Sequence, residues 1–266
     1  MRRTSVIALT ALTLVAGCGS SGGSAGKSSD FAGVLRDSAT KTAASGSSKI
    51  SLTSTTTAQG QTVTFDGTGA FDYGTKAGML DLHVGGLGAG ATGATIGERI
   101  TGGFLYIKLP NAPQSYYKLK LTDIVGTSLA NGSDPSSSFG ALAGVSDDVT
   151  KVGEETLRGT KTTHYKGTID VQKALDKAQG PQKDLIQKGL VANGVKTLPF
   201  DAYVDEQGRI HKYVQKVALT LKGQKADSTT TIELYDFGTK VDVTAPPASQ
   251  VKDGAPLLKA LKTQNG

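Results

Sequence analysis

The residues of this 266-residue chain whose types and spacing could do chemistry are one thiol, two glycine-spaced strings and three histidines. Cys18 is the single cysteine, and it closes Leu14-Val15-Ala16-Gly17-Cys18 directly after a mostly apolar run from Val6 to Ala16. Small residues ahead of a lone thiol suit a peptidase that cuts before a cysteine carrying a diacylglyceryl group. Arg2 and Arg3 precede the run, which falls well short of the ~20 apolar residues that span a bilayer, so residues 1–17 read as a removable lipoprotein signal peptide. The expected chain begins at lipidated Cys18, outside the cytoplasm. Its acyl chains, palmitate or similar, would hold it to the outer face of the plasma membrane, since each buried methylene contributes about 0.8 kcal/mol and two or more chains anchor stably. A buried structural cysteine is the alternative, and the position of Cys18 beside the signal argues against it. With one thiol there is no internal disulfide, and the fold must be stable through its core.

The other strings carry less. Gly88-Ala89-Gly90-Ala91-Thr92-Gly93 spells G-x-G-x-x-G, but a dinucleotide site needs a helix next and an acid ~20 residues on, and a β-like stretch follows instead. Gly19-Ser20-Ser21-Gly22-Gly23 spells G-x-S-x-G inside a Gly/Ser segment, where no strand-to-helix elbow forms. His83, His164 and His211 lie far apart, with neither H-x-H nor H-E-x-x-H spacing, so a zinc site has little support and no metal or other cofactor is expected. A Ser/His/Asp triad assembles across sequence and stays open on this ground alone. Each histidine otherwise reads as a strand-surface residue, and Tyr116-Tyr117-Lys118 as strand-edge packing rather than a stacking platform. The formal charge of +6 is spread without a long basic run. That gives weak attraction to an anionic surface and no nucleic-acid footprint.

These residues need elements to hold them. Gly19 to Ser29 contains only Gly, Ser, Ala and Lys, so residues 18–29 read as the lipidated cysteine and a flexible tether. Residues 30–266 suffice for one β-rich domain. Asp30 caps a helix carrying Phe31, Val34, Leu35, Ser38, Ala39 and Thr42 at helical spacing, with Gly46 as its stop. The period then changes to two: Ile50 and Leu52, Val63 and Phe65, Phe71 and Tyr73 alternate with polar residues, punctuated by glycines at 60, 67, 69 and 74. Leu80, Leu82 and Val84 lead into a Gly/Ala run over 85–94. Strands follow at Phe104 to Leu109 and Tyr116 to Leu121, and then a Ser/Gly/Pro-rich connection over 125–145 with room for a short helix. Further strands are expected at about 147–157 and 160–169. A second helix starts at Asp170, breaks at Gly180-Pro181 and resumes through Leu185, Ile186 and Leu190. Ala202 and Val204 run into a hairpin turn at Asp205-Glu206-Gln207-Gly208, and out to Ile210, Val217, Leu219 and Leu221. A last strand spans Thr229 to Phe237. Two helical segments against about ten strands indicate α+β, a mostly antiparallel sheet with helices on one face.

Four blocks resemble the LppX/LprAFG family of actinobacterial lipoproteins, whose fold is similar to the periplasmic lipoprotein carriers. They are Phe104 to Leu109 with Tyr117 and Leu121 to Ile124; Gly153 to Tyr165; Leu198 to Asp205; and Tyr235 to Gly238 with Val241 to Pro247. Their order and spacing match over nearly the whole mature chain. The resemblance implies a curved half-barrel whose concave face is covered by helices, an apolar cavity between them for acyl chains, and no catalysis. It implies an acylated lipid or glycolipid as ligand, carried or presented between envelope layers, with the plasma membrane and a membrane transporter as partners. The Gly/Ala run at 85–94 departs from the family pattern and would alter the cavity mouth.

Three function classes stand at this point: a lipid-binding carrier, a non-catalytic structural or interaction lipoprotein without lipid, and a cell-envelope hydrolase. The carrier reading places Leu80, Leu82, Val84, Leu105, Ile107 and Leu109 as inward-facing cavity lining beside the glycine run. Alternation supports a single apolar face for them, and leaves open whether that face meets packed core or a void.

Overall fold

The computed structural model describes residues 30–86, 93–112, 114–124, 139–221 and 224–264. The expected leader and tether, Cys18 among them, lie outside the described residues, as do the middle of the glycine run and positions 125–138.

Twelve strands form one open sheet: β1 (Ser47–Ala58), β2 (Gln61–Asp72), β3 (Ala77–Gly85), β4 (Ala94–Thr101), β5 (Phe104–Lys108), β6 (Tyr116–Lys120), β7 (Thr150–Leu157), β8 (Thr160–Asp170), β9 (Thr197–Asp205), β10 (Ile210–Leu221), β11 (Gln224–Tyr235) and β12 (Val251–Asp253). The spatial order is β12-β6-β5-β4-β3-β2-β1-β11-β10-β9-β8-β7. Every pairing is antiparallel except β12 with β6. The α-helices with described bounds are α1 (Phe31–Ala44), α2 (Val171–Lys177), α3 (Pro181–Gly189) and α4 (Ala255–Gln264), and residues 139–140 are also helical. The α+β class expected from the sequence is the one found.

Local chemistry explains the helix boundaries. Asp30 caps α1 by accepting from the Gly33 N–H at 2.6 Å, and Asp170 caps α2 by accepting from Lys173 at 2.9 Å. Pro181 starts α3 at a position where its missing N–H costs nothing. The C-terminal β12 and α4 have no counterpart in the expected elements. A three-residue strand paired in parallel leaves no alternation to read, and it is placed by β6 rather than by its own pattern.

Two opposed faces follow from the period of two. The inner face carries one core cluster that includes Ile50, Leu52, Phe71, Leu80, Phe200, Tyr213, Ile232 and Leu234 together with Leu35 of α1 and Leu175 of α2. One row of register partners crosses eight strands on this face: Tyr165, Ala202, Tyr213, Ile232, Leu52, Gly67, Leu82 and Ile96. Gly67 and Gly69, expected as punctuation between strands, lie inside β2 on this face. A methyl group on Gly67 would meet the Asp81 carbonyl and the Leu82 side chain, and one on Gly69 the Met79 carbonyl. These glycines let β3 close onto β2.

Helix α1 lies across the strands. Phe31 packs its ring against Tyr165 of β8 with centroids 5.6 Å apart, while Ala39 and Ala43 face Tyr73 beyond the end of β2. Buried Thr42 fixes the crossing: its hydroxyl donates to the Ser38 carbonyl at 2.7 Å and accepts from the Ile210 N–H of β10 at 2.9 Å. Ile210 begins β10 at a register shift, so its N–H has no ladder partner at that point and the helix supplies one. At the other edge the sheet coils strongly. Arg158, in the β7–β8 turn, bonds Glu233 of β11 at 3.0 Å and lies 4.1 Å over the Tyr235 ring. In a flat sheet β8 and β11 would stand ~14 Å apart.

Thr42→Val keeps the shape of the side chain and leaves the buried Ile210 N–H unpaired. Urea unfolding should register a loss of about 1–3 kcal/mol, against a few tenths for Thr57→Val on the exposed face; equal effects would remove Thr42 as the anchor.

Candidate functional site: the inner trough

The inner face changes character along the strands. Near α1 its residues are fully buried: Ile210 is 0% exposed and Tyr213 1%. Towards the β1–β2 and β10–β11 turns they become half-buried. Register rows define that second zone. One runs Phe200, Gln215, Thr230, Ser54, Phe65, Val84 and Ala94, and the next runs Val217, Ser228, Thr56 and Val63. Hydroxyls occupy the centre of both rows: Ser54 and Thr230 bond at 3.0 Å, and Thr56 and Ser228 at 3.0 Å. Phe65, Val63 and Val84 flank this polar strip on one side, and Val217 and Leu219 on the other. Gln215 joins strip to core by donating to the Tyr213 hydroxyl at 3.2 Å, and burial pushes the pKa of that hydroxyl well above the usual phenol value despite this bond.

The zone is a trough with apolar walls and a floor of short hydroxyls. Apolar chains gain by lying on Phe65, Val63, Val217 and Leu219, and ester or sugar oxygens can exchange hydrogen bonds with the strip. Gly85 and Gly93 bring the ends of the glycine run to this end of the sheet. A separate cleft of ≈ 310 Å³ lies between Ala39, Thr40 and Ala43 of α1, Tyr73, Phe139 and Gly140.

The residues expected to line a cavity share the inner face. Leu80, Leu82, Leu105 and Ile107 belong to the core cluster, Val84 is buried at the trough edge, and Leu109, one residue past β5, is half-buried against the core. Glu98 stands among them, register partner of both Leu80 and Ile107 and only 7% exposed. Sequence reasoning missed this carboxylate and the hydroxyl strip alike, because a polar residue in an alternating strand reads as facing water.

The histidines divide three ways. His83 is exposed on β3, 3.7 Å from Asp66. His164 on the outer face stacks on Tyr203 at 4.3 Å and bonds Asp201 at 2.8 Å. His211 departs from the expected surface position: it is 7% exposed, bonds Asp205 at 2.9 Å and packs edge-on against Phe237. Asp205 also accepts from the Arg209 backbone N–H at 2.8 Å and from its guanidinium at 2.7 Å, closing the β9–β10 turn. Burial alone would raise the Asp205 carboxyl; the Arg209 and His211 bonds outweigh it and hold the group below the ordinary carboxylate range. Among the described residues no hydroxyl bonds any of the three rings, and no cluster of three His, Cys, Asp or Glu side chains could hold a metal.

No family model matches the chain. It is 32% identical over 117 residues to an uncharacterized 31.2 kDa protein of Streptomyces griseus, a match covering 43% of this chain and 37% of that one. Over 111 residues it is 30% identical to a protein of Streptomyces coelicolor whose name marks it a candidate lipoprotein, covering 42% and 30% of the two chains. The chain thus spans about a third of the length of these curated relatives. Among solved structures it is similar to the lipoprotein LppX of Mycobacterium tuberculosis, at 14% identity, TM-score 0.46 and coverage of 80% of this chain and 99% of that one. It is also similar to LprF of Mycobacterium bovis, at 15% identity, TM-score 0.44 and coverage of 82% and 97%.

The depressed Asp205 carboxyl adds stability above its unfolded-state range, near pH 4, and loses it as pH falls through the lower folded-state value. Asp205→Asn should therefore unfold more easily by roughly 2–3 kcal/mol at pH 7, with the gap to wild type narrowing below about pH 4. Denaturant midpoints of both proteins at several pH values check this; a gap independent of pH would assign Asp205 a packing role only.

Proposed function

We propose that this chain is a non-catalytic cell-envelope lipoprotein, anchored through Cys18, that binds acylated lipids or glycolipids on its inner face and carries or presents them between envelope layers. Residues 30–266 form the binding domain in this reading, after a signal peptide and a short tether. The observation that carries it is the passage from filled core to half-buried trough on one continuous sheet face, with apolar walls around the paired hydroxyls of Ser54, Thr230, Thr56 and Ser228. Acyl chains would lie against Phe65, Val63, Val217 and Leu219, and the polar linkage over the hydroxyls. Leu82 and Val84 extend the apolar wall towards the glycine run, while Leu80, Leu105, Ile107 and Leu109 back it as core. The names of the relatives support the lipoprotein part of the reading. Among the described residues no hydroxyl bonds any of the histidine rings, so none is seen activated for a hydrolase.

Native mass spectrometry of the chain purified gently from its own cells should detect bound acyl lipid. Trp at two positions separates trough from core. Val217→Trp fills half-buried space, so it should keep the melting temperature and lose the lipid, whereas Ile107→Trp overpacks the core and should cost about 1–3 kcal/mol. A lipid-free wild type with an unaltered Val217→Trp variant would leave an interaction lipoprotein as the better reading. Intact mass of the membrane-extracted chain should lack residues 1–17 and carry a lipid increment that Cys18→Ser abolishes.

A further inference from the structure

The outer face of the sheet is divided by charge. On the half formed by β8–β11 carboxylates are interleaved with the cations: Arg158 pairs with Glu233 and Arg209 with Asp205, while Lys166 stands across from Asp201 and Lys212 from Glu233. Lys151 and Lys161 pair with Glu154 at the β7 edge, and Lys49 on β1 pairs with Asp236. On the half formed by β3–β6 acids are sparse. Arg99, Lys108, Lys118 and Lys120 stand on neighbouring strands of one face, with Arg99 across from Tyr106, Tyr106 from Lys118, Lys108 from Tyr116 and Lys120 from Phe104. Among the described residues none of the four forms an ion pair. Asp81 on β3 shares their face, flanked by Asp253 on β12, which the Ala255 N–H engages at 3.0 Å, and by Asp66 and Asp72 on β2, with Asp66 beside His83.

Three of the four cations are held over rings. The Lys118 ammonium lies 3.9 Å from the Phe104 ring centre, and Arg99 and Lys108 stand 5.4 and 5.5 Å from that of Tyr116. A ring beneath a cation orients it without cancelling its charge, so the positive field points to solvent. Met79, across from Arg99 on β3, adds an exposed apolar side chain, 39% accessible, and Phe104 is half-buried at the same surface. This combination discriminates between occupants. A hydrated polyanion would use the cations alone, whereas the headgroup layer of a bilayer also accepts methionine and aromatic side chains beside lysine and arginine.

We propose that the outer face of β3–β6 docks on an anionic phospholipid surface through Arg99, Lys108, Lys118 and Lys120, with Met79 and Phe104 at the headgroup level. In that pose the inner trough points away from the bilayer. The proposal relies on the reading above only for a membrane being near, and its test omits the anchor and the lipid cargo so that the two readings fail separately.

The test uses the mature-length chain, residues 18–266 with Cys18→Ser, and vesicles of either phosphatidylcholine or an equimolar mixture with phosphatidylglycerol. Sedimentation should find the protein on the anionic vesicles alone, released by salt. Each basic side chain near such a surface contributes about 1 kcal/mol, or roughly fivefold in partitioning, so the triple variant K108Q/K118Q/K120Q should bind on the order of a hundredfold more weakly. K108R/K118R/K120R should restore binding, which guards against a folding artefact. The control K49Q/K151Q/K161Q removes the same charge from paired positions and should lose far less. Equal loss in the control, or equal binding to neutral vesicles, overturns the proposal. So does a K108Q/K118Q/K120Q variant that keeps its vesicle binding but no longer binds soluble polyphosphate, an outcome that assigns the face to an anionic polymer.

Discussion

Among the described residues there is more sheet than helix to cover it. Twelve strands present one wide inner face, and the α-helices with described bounds have 14, 7, 9 and 10 residues. An uncovered apolar face is unstable in water, so each strand must either lie beneath a helix or change composition where the helices end. The inner face does both. Beneath α1 it is Leu, Ile, Phe and Tyr; beyond the helix the central strands switch to Ser54, Thr56, Ser228 and Thr230 while their neighbours stay apolar. The hydroxyls in the trough meet the same constraint that places Leu35 over the core. They satisfy one another across β1 and β11, so the strip can be dry when an apolar chain covers it and wet when none does, at small cost either way.

Helix α1 is thus the element that sets where core ends and trough begins, and Thr42 is what sets α1. A helix crossing strands packs by shape alone unless a polar contact registers it. The bond from the Ile210 N–H supplies that register at the one place where β10 shifts against β9 and frees a backbone donor. Ser48 and Tyr73, bonded at 2.7 Å, close the ends of β1 and β2 near the same helix. The buried polar groups at this end are few and paired, as a sheet end covered by one helix requires.

Much of this order was legible before any coordinates. Asp30, Gly46, Asp170 and Gly180-Pro181 announce their helix boundaries because capping and proline chemistry act locally. Ile50, Leu52, Leu80, Leu82 and Val84 announce their face because the strand period is two. The features that define the trough were not legible, for a physical reason. Ser54 and Thr56 continue the alternation of Ile50 and Leu52, but a hydroxyl carries no sign of which face it is on; only its neighbours two strands away decide whether it meets water or Phe65 and Val217. Glu98 is hidden in the same way between Leu80 and Ile107. Gly67 and Gly69 looked like breaks between strands, because their role in admitting β3 depends on a partner that sequence does not locate. His211 looked exposed since its burial comes from Phe237 and from Asp205, which lies across the turn.

The two halves of the outer face differ in charge, and that contrast bears on function. On the outer face over β8–β11 carboxylates such as Asp201 and Glu233 stand beside the cations; single surface pairs add little stability, but the mixture leaves a small net field. Over β3–β6 three of the four cations rest on aromatic rings, which fix their direction and leave their charge uncompensated. Stability alone gives no reason for that difference, since Lys108 and Lys118 could have been paired as Lys161 is. An uncompensated, directed field acts at a distance of about a Debye length, roughly 10 Å at 0.1 M salt, on whatever anionic surface comes near. A chain with an apolar trough on one face and such a field on the other is built to be oriented, and orientation matters most to a protein whose ligand must enter or leave in a particular direction.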